Sequence, residues 1–276
     1  MPFLHRVLLV SLLWVVCSGR QLVAQPERMA LATAIASELR ANGVRLERPH
    51  VVVYFEAGLI PEVDQARWAG WMSEGVGNIE SLLKSSFGST KLEYYVSSKV
   101  RDTSFSIPGY DAPPRIFLAS DRVVRGAAPY IHEAVHHLVF RLAPQQAATE
   151  PHFWIFEGFP SYVEDAVVAR YGGVAGRVFV KGGNDTVDDE ARAMLATPKG
   201  REVLAFVGRP GLPPGMEDRQ TVAKPFYVLG QSLTKHLIGT VGLEAFVAAI
   251  LPHLLNTPKF EAELQRVSGR SLERLT

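Results

Sequence analysis

The sequence is poor in cysteine, in long apolar runs and in net charge. Its 276 residues include one cysteine, Cys17, so no disulfide can form within the chain and the packed core must provide stability. The apolar run at residues 7–16 has about half the length that a membrane-spanning helix needs. The 29 basic and 28 acidic residues nearly balance, and no basic run alternates with aromatic residues, which argues against nucleic-acid binding. With 47% hydrophobic residues, the chain has enough apolar material for a globular fold of one or two lobes.

The N-terminal residues 1–24 have the pattern of a secretion signal. His5 and Arg6 precede the apolar run, and Ala24 ends a segment suited to cleavage. Cleavage there would remove Cys17 and two arginines, so we expect a mature chain without thiols. We therefore predict a secreted or periplasmic protein with no stable membrane span. A lipoprotein anchored through Cys17 and a retained N-terminal anchor are the alternatives.

The segment that begins at His132 and ends at His136 reads H-E-x-x-H. Four residues of α-helix turn about 400°, so both imidazoles project from one face and can bind one metal ion. Glu133 lies about 100° further round, where a general base can take a proton from a water that the metal activates. Apolar residues at spacings of three and four predict a buried helix over residues 127–142, with Pro129 in its first turn. The motif predicts a zinc site, and a pair of ordinary core histidines is the alternative.

A catalytic zinc ion takes three protein ligands and leaves one position open, so a third ligand is needed. Glu157 lies within the otherwise apolar residues 154–164, and a carboxylate there is costly unless it is paired or binds a metal. The twenty residues between His136 and Glu157 suffice to end the first helix, turn and begin an antiparallel one. Glu157 could instead be a carboxylate that complements a helix N-terminus, and Glu150 is the competing candidate ligand.

Taken together, the two motifs resemble those of the gluzincin metallopeptidases. H-E-x-x-H followed about twenty residues later by W-I-F-E-G-F-P-S-Y-V-E is similar to the peptidase MA-like group, which is related to thermolysin and to the H-E-x-x-H aminopeptidases. The resemblance implies that His132, His136 and Glu157 bind Zn²⁺ and that Glu133 is the general base. Pro160 replaces the alanine common in that group, which affects the helix but no ligand.

The resemblance extends to a later helix that carries a tyrosine, which Tyr227 matches. It implies that the Tyr227 hydroxyl stabilises the oxyanion, a role that suits a neutral phenol. A core aromatic is the alternative, in which case Tyr130 and His236 are the next candidate donors. Residues 215–218 are similar to a substrate-amine motif of the large aminopeptidases, but they follow the zinc helix and are interpreted as a plain loop.

Three further features have two interpretations each. Glu164 lies two turns after Glu157, so it either accepts a hydrogen bond from a zinc-binding histidine or is solvated. His137 is interpreted as a structural residue or an outer partner of the site. The resemblance puts the strand before the metal helix at the sheet edge, where residues 115–119 could pair with an extended substrate; an ordinary strand within the sheet is the alternative.

The expected fold is α+β and, by the resemblance, zincin-like. We predict a lobe at residues 25–142, with a small mixed sheet and the metal helix, and a mainly helical lobe at 143–276 that supplies Glu157. Helices are predicted at 27–41, 62–86 and 188–196 and from residue 223 onward, and strands at 50–56, 91–97 and 115–119.

The favoured function is hydrolysis of peptide bonds in peptide or protein substrates, with Zn²⁺ as the cofactor. A scaffold or binding protein that keeps the zincin fold without turnover is one alternative. Glu133 counts against it, because metal binding alone has no use for that carboxylate. A zinc amidase that acts on non-peptide amides, such as cell-wall crosslinks, is the other alternative.

Overall fold

The computed structural model describes residues 21–101, 104–107, 113–143, 151–174, 176 and 184–274. The first twenty residues of the predicted secretion signal lie outside this part of the chain, as does Glu150. The described part combines α-helices with one mixed β-sheet, so the α+β class predicted from the sequence is confirmed.

The chain divides into two compact units. The first, which we call the sheet unit, consists of Met29–Arg141 and Val163–Val178. The second, the helical unit, consists of Met1–Arg28, Leu142–Tyr162 and Phe179–Thr276. The predicted division into lobes at 25–142 and 143–276 stays a prediction.

The sheet has five strands in the order β1-β2-β3-β5-β4. The strands are β1 (Val44–Glu47), β2 (Val51–Phe55), β3 (Leu92–Ser97), β4 (Phe105–Ile107) and β5 (Arg115–Ala119). The three central strands are parallel, and β1 and β4 are antiparallel to their neighbours. The central strands are buried and rich in β-branched and aromatic residues, as expected for strands covered on both faces.

The predicted edge position of residues 115–119 is wrong. β5 pairs with β3 on one side and with β4 on the other, so neighbouring strands occupy both of its sides. The three-residue strand β4, which had no clear signal in the sequence, pairs outside β5. The alternative interpretation, an ordinary strand within the sheet, is therefore correct.

Helices cover the sheet. Helix α1 (Gln21–Asn42) packs its Ala32, Ile35, Ala36 and Leu39 against apolar side chains of one sheet face. On that face the rings of Tyr54, Tyr95, Phe117 and Phe105 form a continuous stack, with centroids 4.9–5.1 Å apart. The other helices of this unit are α2 (Glu62–Leu83), α3 (Ser120–Val124) and α4 (Tyr130–Leu142), which carries H-E-x-x-H and is called the motif helix below.

The remaining chain is mainly helical, as predicted. Its α-helices are α5 (Phe153–Tyr171), α6 (Asn184–Leu195), α7 (Pro198–Leu204), α8 (Lys224–Val241), α9 (Leu243–Ala245) and α10 (Thr257–Ser268). Helix α5 passes from the helical unit into the sheet unit at Val163. Short π or 3₁₀ segments lie at Arg219–Ala223, Phe246–Ile250, Leu251–His253 and Leu272–Arg274.

Within the described ranges, no single helix combines the length and apolar composition needed to cross a membrane. The segments Arg219–Val241 and Leu243–His253 meet the requirement only as a pair bent by 104°, and only by length and composition.

Candidate metal centre

The motif helix is fixed at its first residue, Tyr130. The Tyr94 hydroxyl of β3 donates a hydrogen bond to the Tyr130 carbonyl at 3.1 Å. The Trp68 ring of α2 meets the Tyr130 ring edge-on at 5.8 Å. A Cβ atom at Gly75 would lie 2.7 Å from Tyr130 Cε2, so only glycine leaves room for this ring. The start of the motif helix is therefore anchored to both the sheet and α2.

The three motif side chains are buried near this anchored end. His132, Glu133 and His136 are 5%, 7% and 6% exposed. The Nε2 atoms of the two histidines are 3.1 Å apart, and their rings are inclined at 76°. The helix and the common face of both imidazoles are thus as the sequence predicted.

Glu157 is the fifth residue of α5 and is partly buried. It lies beyond the first helical turn, so the alternative of a carboxylate that complements the helix N-terminus is not supported. Pro160 lies within the same helix, and its missing N–H removes one backbone hydrogen bond of the ladder. One turn after Glu157, the Ser161 hydroxyl donates to the Glu157 carbonyl at 3.1 Å.

His132, His136 and Glu157 form a group that can hold a metal ion. One ligand atom from each lies within 4.8 Å of the others. Two nitrogens bound to a tetrahedral zinc ion are about 3.3 Å apart, close to the 3.1 Å between the two Nε2 atoms. A hydrogen bond between the two rings would fit that distance as well, but it would not account for the carboxylate beside them. The donor set fits a metal ion, although it does not identify the element.

Glu164 lies on α5 and is 4% exposed, which excludes the solvated alternative. Its Oε1 atom accepts a hydrogen bond from the Gly176 N–H at 2.8 Å. Burial raises the pKa of the Glu164 carboxyl to about 7, and His132, the Gly176 N–H and Arg122 act in the opposite direction. Glu164 thus interacts electrostatically with a candidate metal ligand, and its predicted hydrogen bond from a zinc-binding histidine stays a prediction.

His137 has a structural role. It is 4% exposed, and its Nε2 atom lies 3.3 Å from the Arg115 carbonyl oxygen at the start of β5. Burial lowers the pKa of the His137 imidazole to about 3, with a smaller contribution in the same direction from His136. The ring is therefore neutral at physiological pH, and its hydrogen bond joins the motif helix to the sheet.

Tyr227 lies in the first turn of α8 and is partly buried, with its ring edge-on to Phe226 at 6.3 Å. Its proposed role at the oxyanion stays a prediction. Of the two other candidates, Tyr130 is buried and its hydroxyl hydrogen-bonds to the Val174 backbone, whereas His236 is exposed.

Helices α8 and α5 cross so closely that their backbones are in contact. A Cβ atom at Gly158 would lie 2.7 Å from the Gly230 carbonyl oxygen, and one at Gly230 would lie 2.6 Å from the Trp154 carbonyl oxygen. The crossing lies beside Glu157 on one helix and one turn after Tyr227 on the other. These two glycines therefore set the position of two candidate site residues relative to each other.

Arg122 and Gly176 are site neighbours that sequence reasoning missed. Arg122, on α3, is affected by the charges of both Glu133 and Glu164, although burial is the larger effect and lowers its pKa. Its Nη2 atom donates to the Gly176 carbonyl at 3.1 Å. No spacing rule relates residues 122, 164 and 176, so only the fold could reveal that they meet.

The loop interpretation of residues 215–218 agrees with the structure. Gly215 has a positive φ of 83°, and the Asp218 carboxylate accepts hydrogen bonds from the Gln220 and Thr221 N–H groups. Asp218 therefore caps the following helical turn.

No protein-family model matches this chain, and no curated protein matches it. What the centre can do follows from its donors, which are two imidazole nitrogens and one carboxylate oxygen. Such a set is typical of zinc hydrolases, in which a fourth position stays open for water or substrate.

Proposed function

We propose that this chain is a zinc metallopeptidase of the gluzincin type, with a zincin-like fold. The single observation that carries the proposal is the grouping of His132, His136 and Glu157, because Glu157 is distant from the motif in sequence. The two N donors and one O donor suit Zn²⁺, the metal that the H-E-x-x-H resemblance implies. We expect the protein to act on peptide or protein substrates and to be secreted or periplasmic.

His132, His136 and Glu157 would bind the ion. When bound, it would polarise the scissile carbonyl and lower the pKa of a water molecule towards about 7. Glu133 accepts the proton from the attacking water and passes it to the nitrogen of the leaving amine. Glu133 is 7% exposed, so its carboxylate is largely shielded from bulk solvent. The Tyr227 hydroxyl donates a hydrogen bond to the oxyanion.

A peptide-library digest by the zinc-loaded protein, with and without a zinc chelator, tests the proposal. We expect amide cleavage that the chelator abolishes and that added zinc restores. The map of cleaved positions also gives specificity and separates internal from terminal cleavage. Zinc binding without cleavage of any amide would favour the scaffold alternative, and cleavage of cell-wall amides alone would favour the amidase.

The variant Glu133→Gln separates the general base from the ligands. It keeps the shape of the side chain, so zinc content should remain at about one per chain, while hydrolysis falls by several orders of magnitude. Glu62→Gln, an exposed position in the first turn of α2, is the matched control and should retain activity. Retained hydrolysis in Glu133→Gln would contradict the mechanism.

A further inference from the structure

The loop that follows α5 touches the backbone just before the motif helix. A Cβ atom at Gly176 would lie 2.1 Å from Pro129 Cα and 2.3 Å from Pro129 N, far inside van der Waals contact. Pro129 immediately precedes Tyr130, the first residue of the motif helix. Gly176 is therefore required for the close approach of two backbone segments, and no side chain fits between them.

Both backbone polar groups of Gly176 are hydrogen-bonded to ionisable side chains. Its N–H donates to Glu164 Oε1 at 2.8 Å, and its carbonyl accepts from Arg122 Nη2 at 3.1 Å. The carboxylate comes from α5 and the guanidinium from α3. Side chains from two helices therefore bind the N–H and the carbonyl group of the same residue. Hydrogen bonds to charged groups are shorter and stronger than those between neutral groups, which suits a fixed position.

The same loop makes a second contact with the start of the motif helix. The Tyr130 hydroxyl hydrogen-bonds to the backbone of Val174, and a Cβ atom at Gly173 would lie 3.3 Å from that hydroxyl oxygen. Tyr94 and Trp68 hold Tyr130 from the sheet and from α2. The loop therefore supplies contacts that neither the sheet nor α2 makes.

Burying a carboxylate is costly, and a neutral amide could accept the Gly176 N–H at a lower cost. The presence of a carboxyl group rather than an amide at position 164 points to a role beyond that hydrogen bond. Glu164 acts electrostatically on His132, and Arg122 is affected by both Glu164 and Glu133. The side chains that hold Gly176 are thus also the charged neighbours of a candidate ligand and of the candidate base.

We propose that the Gly176 peptide is a positioning seat for the metal site. Arg122 and Glu164 hold it against Pro129, which fixes the start of the motif helix so that His132 and Glu133 are in place before an ion or substrate arrives. The roles assigned to His132 and Glu133 rest on the proposed function. The seat itself rests on the contacts of Gly176, and Arg122 and Glu164 are positioning residues.

The pair Gly176→Ala and Gly43→Ala tests whether the seat does more than stabilise the fold. A Cβ atom at Gly43, at the end of α1, would lie 2.6 Å from the Leu39 carbonyl oxygen, so that variant is also strained. We expect both variants to lower the melting temperature. Only Gly176→Ala should weaken zinc binding in competition with a chromogenic chelator, by about 10-fold or more. Equal zinc affinity in both variants would overturn the proposal.

Hydrogen exchange of the zinc-free protein gives a second readout that needs no metal. Gly176→Ala and Glu164→Ala should raise amide exchange in residues 130–137, because each releases the start of the motif helix. Glu164→Gln retains an acceptor for the Gly176 N–H, so it should restore protection of residues 130–137. Unchanged exchange in Gly176→Ala, or no rescue by Glu164→Gln, would overturn the proposal.

With these two measurements, the proposed role of Gly176 can be tested even if the proposed peptidase function is wrong. If the wild-type protein binds zinc but cleaves no amide, the peptidase proposal fails, and zinc affinity still decides the seat. If the wild-type protein binds no zinc, the metal proposal fails, and exchange at residues 130–137 still decides the seat.

Discussion

At the scale of single residues, the centre depends on a carboxylate that the sequence alone could not assign with certainty. Glu157 and Glu150 both follow the motif at a plausible distance, and only the fold shows that Glu157 lies within ligand distance of the two histidines. The two imidazoles were easier to predict, because helical geometry puts residues four apart on one face.

Replacing Glu157 by alanine should remove the metal. Two imidazoles alone give a site with too few ligands, so we expect zinc content to fall from about one per chain to near zero in Glu157→Ala and in His132→Ala. Glu202→Ala, an exposed glutamate of α7, should keep full occupancy. The measurement is elemental analysis of protein purified in the presence of zinc. Full occupancy in Glu157→Ala would show that another residue is the third ligand.

Tyr227→Phe tests the least constrained residue of the proposed site. The change removes one hydroxyl and leaves the ring to pack against Phe226, so zinc content and melting temperature should stay near wild type. If the hydroxyl donates to the oxyanion, kcat should fall by roughly 10²–10³ with little change in KM. Tyr171→Phe, at the exposed end of α5, is the control with the same chemical change. An unchanged kcat in Tyr227→Phe would make Tyr227 a packing residue.

At the scale of elements, the local sequence pattern predicted most of the longer helices and strands, because their formation depends on that pattern. The strands β2, β3 and β5 and the helices α2 and α4 are close to their predicted bounds, because each has a clear apolar period and a clear ending signal. Helix α1 ends close to its predicted last residue but begins at Gln21, six residues before its predicted start. The short strands β1 and β4 were missed, since three or four residues carry no periodic signal. The order of strands, and with it the interior position of β5, is set by long-range pairing that spacing along the chain does not reveal.

The crossing of α5 and α8 offers a prediction at this scale. In Gly230→Ala, the added methyl group would lie 2.6 Å from the Trp154 carbonyl oxygen, so the two helices must move apart. Overpacking of this kind costs roughly 1–3 kcal/mol of stability, and displacement of α5 should also weaken zinc binding through Glu157. Thermal melting and zinc titration of the variant measure the two effects.

Gly239→Ala is the matched control on the same helix. A Cβ atom there meets nothing within 4 Å, so alanine should stabilise α8 by up to about 1 kcal/mol through its higher helix propensity. If Gly230→Ala behaved like Gly239→Ala, the close approach of the two helices would not exist in solution.

At the scale of the whole molecule, the described chain joins a mixed sheet to a larger set of helices, and the candidate centre draws on residues far apart in sequence. Zincin-like architecture remains part of the proposal. The metal-ligand group and the motif helix favour it, whereas the strand order and element types are also compatible with other α+β proteins.

Acid stability of the whole protein is the last prediction, and it depends on His137. Burial lowers the pKa of this imidazole to about 3, compared with 6.5 in an unfolded chain. Since the folded pKa is the lower one, the unfolded state binds the extra proton between these values. The stability that the neutral His137 ring contributes is therefore complete above about pH 6.5. Below that pH, the contribution of His137 to the free energy of unfolding falls by up to about 1.4 kcal/mol per pH unit as the pH drops towards 3.

His137→Gln removes this titration and keeps a side-chain N–H for the Arg115 carbonyl. The free energy of unfolding by urea, measured from pH 7 to pH 4 with a chelator present, should therefore fall less steeply in the variant than in wild type. The chelator keeps metal release out of the comparison, and the carboxylates titrate in both proteins, so the difference in slope reports on His137. Identical slopes in wild type and His137→Gln would mean that the imidazole reaches water in the folded protein and is not buried there.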